Sequence, residues 1–141
     1  MDRGRVRQGL IWLVGAALVL QSCASTTLLG RAKQGAAASF RVYDSVTPQV
    51  VSEIATIVNR SRAGTVTEAD RDRLRSLNEL KKVLDDYAAA HNLLVEMVKT
   101  WEQTGQEPSN AMLLENQVLR LINRALDLAK ELRLSIPAGL R

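Results

Sequence analysis

Two residue types that carry much of enzyme and metal chemistry occur once each in the 141-residue chain, as Cys23 and His91. A thiolate serves as nucleophile, metal ligand or disulfide partner, and an imidazole as general base or metal ligand. One cysteine allows no disulfide within the chain and no paired-cysteine metal site. His91 has no second histidine or free cysteine to join it around a metal ion. Serine-hydrolase chemistry would need it beside a nucleophile and an acid, and neither a nucleophile motif nor a glycine-rich phosphate loop is present. The carboxylates Asp85, Asp86, Glu96, Glu115, Asp127 and Glu131 could work as acid and base only if the fold converged two of them. Adjacent acids on a helix point apart, and Glu115 to Asp127 alternate with Arg120, Arg124 and Lys130 as a solvated face does. The densest basic stretch, Arg71, Arg73, Arg75, Lys81 and Lys82, could touch anionic headgroups or an acidic partner, but Asp70, Asp72 and Glu79 blunt its field. The expectation is a protein that is not an enzyme, with no catalytic residue, no metal site and no cofactor. His91 is expected at a helix interface, bonded to a neighbour or to water.

Cys23 has a different context. Arg3, Arg5 and Arg7 precede an apolar run from Gly9 to Leu20, which ends at Gln21-Ser22-Cys23. This is the charged start, apolar middle and small-residue exit of a secretion signal. The run of 12 residues is short of the roughly 20 that an uncleaved spanning helix requires. Leu20-Gln21-Ser22-Cys23 resembles the lipobox of bacterial lipoproteins, with an aliphatic residue three before the cysteine and a small one directly before it; Gln21 replaces the usual small or aliphatic middle residue. The resemblance implies that the chain is cut before Cys23, whose sulfur receives a diacylglycerol and whose amino group is then acylated. Two or three acyl chains, at about 0.8 kcal/mol per buried CH₂, give stable anchoring where one does not. By the same resemblance Ala24, where an inner-membrane retention signal would have Asp, implies the outer membrane facing the periplasm.

The charge balance changes once that segment is set aside. The whole chain has 19 basic and 15 acidic residues; without Arg3, Arg5, Arg7 and Asp2, 16 and 14 remain. A nearly neutral domain lacks the electrostatic footprint of a nucleic-acid binder, so no nucleic acid is expected as a partner.

The elements that must hold these residues are helical. Aromatic residues make up 4% of the chain and prolines number three, a composition poor in strand formers. From Ala36 to Arg62, Val42, Val46, Val50, Ile54, Ile57 and Val58 recur at three and four residues, and Thr47-Pro48 predicts a kink or a restart capped by Thr47. Gly64 suits a left-handed stop. Thr67 should cap the next helix, with Glu68, Asp70 and Asp72 at the positive end of its dipole. That helix should run to about Gln103. Its seam is Leu77, Leu80, Leu84, Tyr87, His91, Leu94, Val98 and Trp101, stepping three and four in alternation as a helix packed along another helix requires. After the turn Thr104–Pro108, Ser109 is expected to cap a third helix to about Leu134, with Leu114, Val118, Leu121, Ala125, Leu128 and Leu132 as its seam; Pro137 and Gly139 end it.

The expected architecture is all-α: a three-helix bundle with a long antiparallel hairpin, after an N-terminal signal peptide. Residues 1–22 are read as signal, 23–35 as the lipidated N-terminus and tether, and 36–141 as the bundle. Its expected setting is the cell envelope, with the membrane as one partner through Cys23 and an envelope protein or a second copy as another. The alternative is a carrier or sensor holding a small apolar ligand in a cavity lined by Val95, Met97, Val98 and Leu121.

Overall fold

The computed structural model describes residues 27–138. The expected signal peptide, Cys23 and Gly139 lie outside the described residues. The chain divides into two units, Met1–Arg31 and Ala32–Arg141. In the first, the described residues form the opening turn of a helix, with Thr27 Oγ1 accepting the Gly30 amide at 3.1 Å.

The fold is an all-α three-helix bundle: α1 (Leu28–Arg62), α2 (Glu68–Thr104) and α3 (Ala111–Glu131). Cross-helix contacts set the directions. Lys33 pairs with Glu102, Glu53 with Arg73 and Arg60 with Asp70, so α1 and α2 are antiparallel. Glu79 pairs with Arg124 at 2.6 Å, while Arg73 donates to the Leu132 carbonyl at 3.0 Å, so α3 reverses again.

At 1.5 Å per residue, α2 spans about 55 Å and α1 nearly as much, whereas α3 reaches about 30 Å. The third helix is therefore shorter than its sequence suggests at both ends. Ser109 lies in a turn and caps nothing; Asn110 precedes the helix without a side-chain hydrogen bond to it. At the other end Arg133 adopts a left-handed backbone with φ 57°. The Arg133 amide returns to Lys130 O at 3.0 Å and the Leu134 amide to Ala129 O at 2.9 Å. This paired pattern closes a helix and reverses the chain. Buried Leu134 then lands near buried Ala129, the apolar contact that usually accompanies it.

Helix α1 departs from expectation in two places. It starts at Leu28, eight residues before Ala36, because Ala32 and Ala36 bury small faces and extend the stripe toward the N-terminus. It also runs through Pro48 without restarting. Thr47 is consequently no cap, and its Oγ1 is buried without a hydrogen-bond partner among the described residues. A proline inside a helix costs about 3 kcal/mol through its missing N–H and its clash with the preceding turn. Val42, Val46 and Val50, at 2%, 0% and 1% exposure, lie on both sides of it. Burial worth about 1.5–3 kcal/mol for each such side chain outweighs the break. Gln49 also donates its Nε2 to Ser45 O at 2.8 Å.

The start of α2 is as its sequence predicts. Thr67 Oγ1 accepts the Asp70 amide and Asp70 Oδ2 accepts the Thr67 amide, both at 3.1 Å. This reciprocal capping holds the Asp70 carboxyl below its usual range, chiefly through the Thr67 backbone bond.

Two side chains lock the end of α3 onto the other helices. Arg73 holds Glu53 of α1 at 2.7 Å and the Leu132 carbonyl with the same guanidinium. The Gln49 amide pairs with the Ser135 backbone in both directions at 2.9 Å, donating to its oxygen and accepting from its nitrogen.

Two stability outcomes follow from these ends. Arg133→Gly should stabilise the bundle by about 1 kcal/mol, because only glycine adopts this backbone without a steric cost, while Gly64→Ala, at φ 72°, should destabilise it by a similar amount. Urea unfolding of the full chain in detergent measures both. Gln49→Ala should speed hydrogen exchange of the Ser135 amide while leaving the α2 core amides protected.

Candidate functional site

The expected seam on α2 faces inward: Leu77, Leu80, Leu84, Tyr87, Leu94, Val98 and Trp101 are buried, and His91 is half-buried. On α3, Leu114, Val118, Ala125, Leu128 and Leu132 are buried. Leu121 is only half-buried; Ile122, one residue on, takes the interior place, and Ala129 joins it. A 21-residue helix keeps 3.6 residues per turn and drifts off a strict heptad, so the inward position moves by one residue along its length.

The polar centre of the bundle is built around Tyr87, whose ring has 0% exposure. Its hydroxyl donates to Ser39 Oγ on α1 at 2.8 Å, and Ser39 Oγ donates to Ala36 O at 3.1 Å. The Tyr87 oxygen also lies 3.1 Å from His91 Nδ1. Each hydroxyl has one proton and both are committed, so His91 must supply the proton of the third bond. With the hydroxyls so directed, the Nδ1–H tautomer of the imidazole completes the chain. Burial pushes the His91 pKa down from its ordinary 6.5. Burial also pushes the Tyr87 phenol up, opposed by the Ser39 bond and reinforced by neighbouring Tyr43.

Phe40 and Tyr43 of α1 close over this chain. Phe40 stacks on His91 with ring centroids 5.3 Å apart, and Tyr43 lies 5.5 Å from Tyr87. Neither aromatic was singled out in the sequence, nor was Ser39. The available signal was Phe40 and Tyr43 three residues apart on a helix, as Tyr87 and His91 are four apart, so that each pair shares a face. The arrangement satisfies buried polar atoms and directs no free hydroxyl at an imidazole. Among the described residues no group of three or more His, Cys, Asp or Glu could hold a metal ion.

The side chains named for an apolar ligand do not gather in one place. Val98 is buried, Val95 and Met97 are half-buried, and Leu121 lines an open groove with Asp86, Ala89, Ala90, Leu93, Gln117 and Arg120. A second open groove, between α1 and α2, includes Val51, Ile54, Val58, Arg62 and Lys81. Within the basic stretch of α2, Arg73 pairs with Glu53, Arg75 with Asp72 and Lys81 with Asp85.

No protein-family model, curated protein or solved structure matches the chain.

The His91 proton balance has a measurable consequence. A histidine whose folded pKa lies below its unfolded one contributes stability that is complete above pH 6.5 and is lost as pH falls through the folded pKa. The melting temperature should thus fall between pH 7 and 5 in the wild-type chain and less in His91→Phe. Asp70 titrates separately, since its stabilisation is present above 3.8 and lost only at lower pH. Tyr87→Phe should cost about 1–2 kcal/mol by leaving the Ser39 oxygen without its donor.

Proposed function

We propose that this chain is a lipid-anchored protein of the bacterial cell envelope whose helical bundle acts as a protein-interaction or structural module. The observation that carries the reading is the Leu20-Gln21-Ser22-Cys23 tetrad directly after a short apolar run with arginines before it. None of the described helices is long and apolar enough to cross a membrane. An attachment would then rest on acyl chains at Cys23, and two or three of them suffice.

The tether is short. Four residues separate Cys23 from Leu28, where α1 starts, and the five Cα-to-Cα steps between them extend at most about 18 Å. Within the bundle, the Lys33–Glu102 pair brings the N-terminal part of α1 beside the end of α2. The face available to partners is the length of the bundle, where Leu93, Met112 and Leu113 are more than 60% exposed.

Expression of the full chain in a Gram-negative host, with mass spectrometry and membrane fractionation, tests the proposal. The mature N-terminal peptide should begin at an acylated Cys23, and Cys23→Ser should stay unprocessed and without acyl mass. A mature protein starting at Met1, or a Cys23→Ser chain that matures and fractionates as wild type, overturns it.

A further inference from the structure

The groove on the α2–α3 hairpin combines exposed apolar side chains with two opposite charges. Leu93, 62% exposed, lies on its α2 wall beside Ala89 and Ala90. Leu113, 67% exposed, sits four residues before Gln117 of the α3 wall and so extends the same face. Asp86 and Arg120 lie in the groove on opposite walls, and neither forms an ion pair with any of the described residues.

The spacing makes this face complementary to itself. Leu93 and Asp86 are seven residues apart on α2, and Leu113 and Arg120 are seven apart on α3. The helices are antiparallel, and the bond from Arg73 to the Leu132 carbonyl sets their register to within about one residue. Leu93 therefore stands level with Leu113, and Asp86 with Arg120, in two layers about 10 Å apart along the hairpin. A half-turn about an axis parallel to the helices lays each α2 over the α3 of a second copy. Both layers then match at once, leucine on leucine in one and carboxylate on guanidinium in the other, twice over by symmetry.

We propose that this face pairs two copies of the chain side by side, with Asp86 of each copy bonded to Arg120 of the other and Leu93 packed on the other copy's Leu113. The inference rests on the envelope-anchor reading in one respect: two chains anchored at the same end in one leaflet present their helices in the same direction. That is the orientation the two-fold axis along the bundle requires. An antiparallel two-fold would lay α2 on α2 and α3 on α3, so that Asp86 would not meet Arg120 across the interface.

Two differently tagged full-length copies, one with Leu93→Cys and the other with Leu113→Cys, test the pairing after mild oxidation of intact cells or membranes. A disulfide-linked species with both tags should form, and substituting Val51→Cys, in the other groove, for Leu93→Cys should give none. Asp86→Arg in both copies should lower the yield about tenfold, as like charges then face each other. Adding Arg120→Asp to both should restore it. These four positions are exposed, and circular dichroism checks that helix content is unchanged.

Absence of the two-tag product, an equal yield from the Val51 control, or a charge swap that fails to restore pairing overturns the proposal. So does crosslinking at Leu93 to a different protein in place of the second copy. The two readings fail separately. Membrane-bound acylated chain without the disulfide refutes the pairing alone, whereas the disulfide in chain lacking acylation refutes the anchor alone.

Discussion

Leu77, Leu80, Leu84, Tyr87 and Leu94 on α2 are removed from water almost completely, and the positions of the other two helices depend on that row. An isolated helix is marginal in water because its nucleus is costly, and packing supplies most of its stability. Here α2 is the common partner. Helix α1 covers it along one side through Val42, Val46 and Val50, and α3 covers it along another through Val118, Ala125 and Leu128. The proline in α1 persists for the same reason, since apolar contact on either side of Pro48 outweighs one lost backbone bond.

The polar contacts divide by their setting. The exposed pairs Arg75–Asp72, Lys81–Asp85 and Lys99–Glu96 lie within one helix, where such pairs contribute a few tenths of a kcal/mol. Those that cross between elements have a different role. Tyr87 to Ser39, Arg73 to Glu53 and Leu132, and Gln49 to Ser135 each join segments distant in sequence. Apolar stripes allow helices to slide and rotate against one another, whereas these bonds form at a single register. The bundle thus takes its stability from the leucine and valine rows and its register from a few hydrogen bonds.

That division also separates the interior from the outer surface. The histidine sits within a completed hydrogen-bond chain, with its proton directed to Tyr87 and its ring under Phe40. On the outside of the α2–α3 hairpin, Leu93, Leu113, Asp86 and Arg120 meet solvent.

Local spacing alone determined the three helices, the Thr67 cap, the Gly64 stop and the inward row of α2, because each depends on residues within one or two turns of each other. The Cys23 context is local too. Tertiary structure decided the rest. Whether Pro48 broke α1 depended on what Val46 and Val50 packed against, and whether Leu121 or Ile122 turned inward depended on the drift of α3 across α2. The early end of α3 came from Arg133 in a backbone that arginine seldom adopts, with Gln49 and Arg73 holding the chain beyond it. Ser39, Phe40 and Tyr43 joined Tyr87 and His91 only because α1 runs antiparallel to α2, and contacts between residues nearly fifty positions apart leave no periodic trace in a sequence.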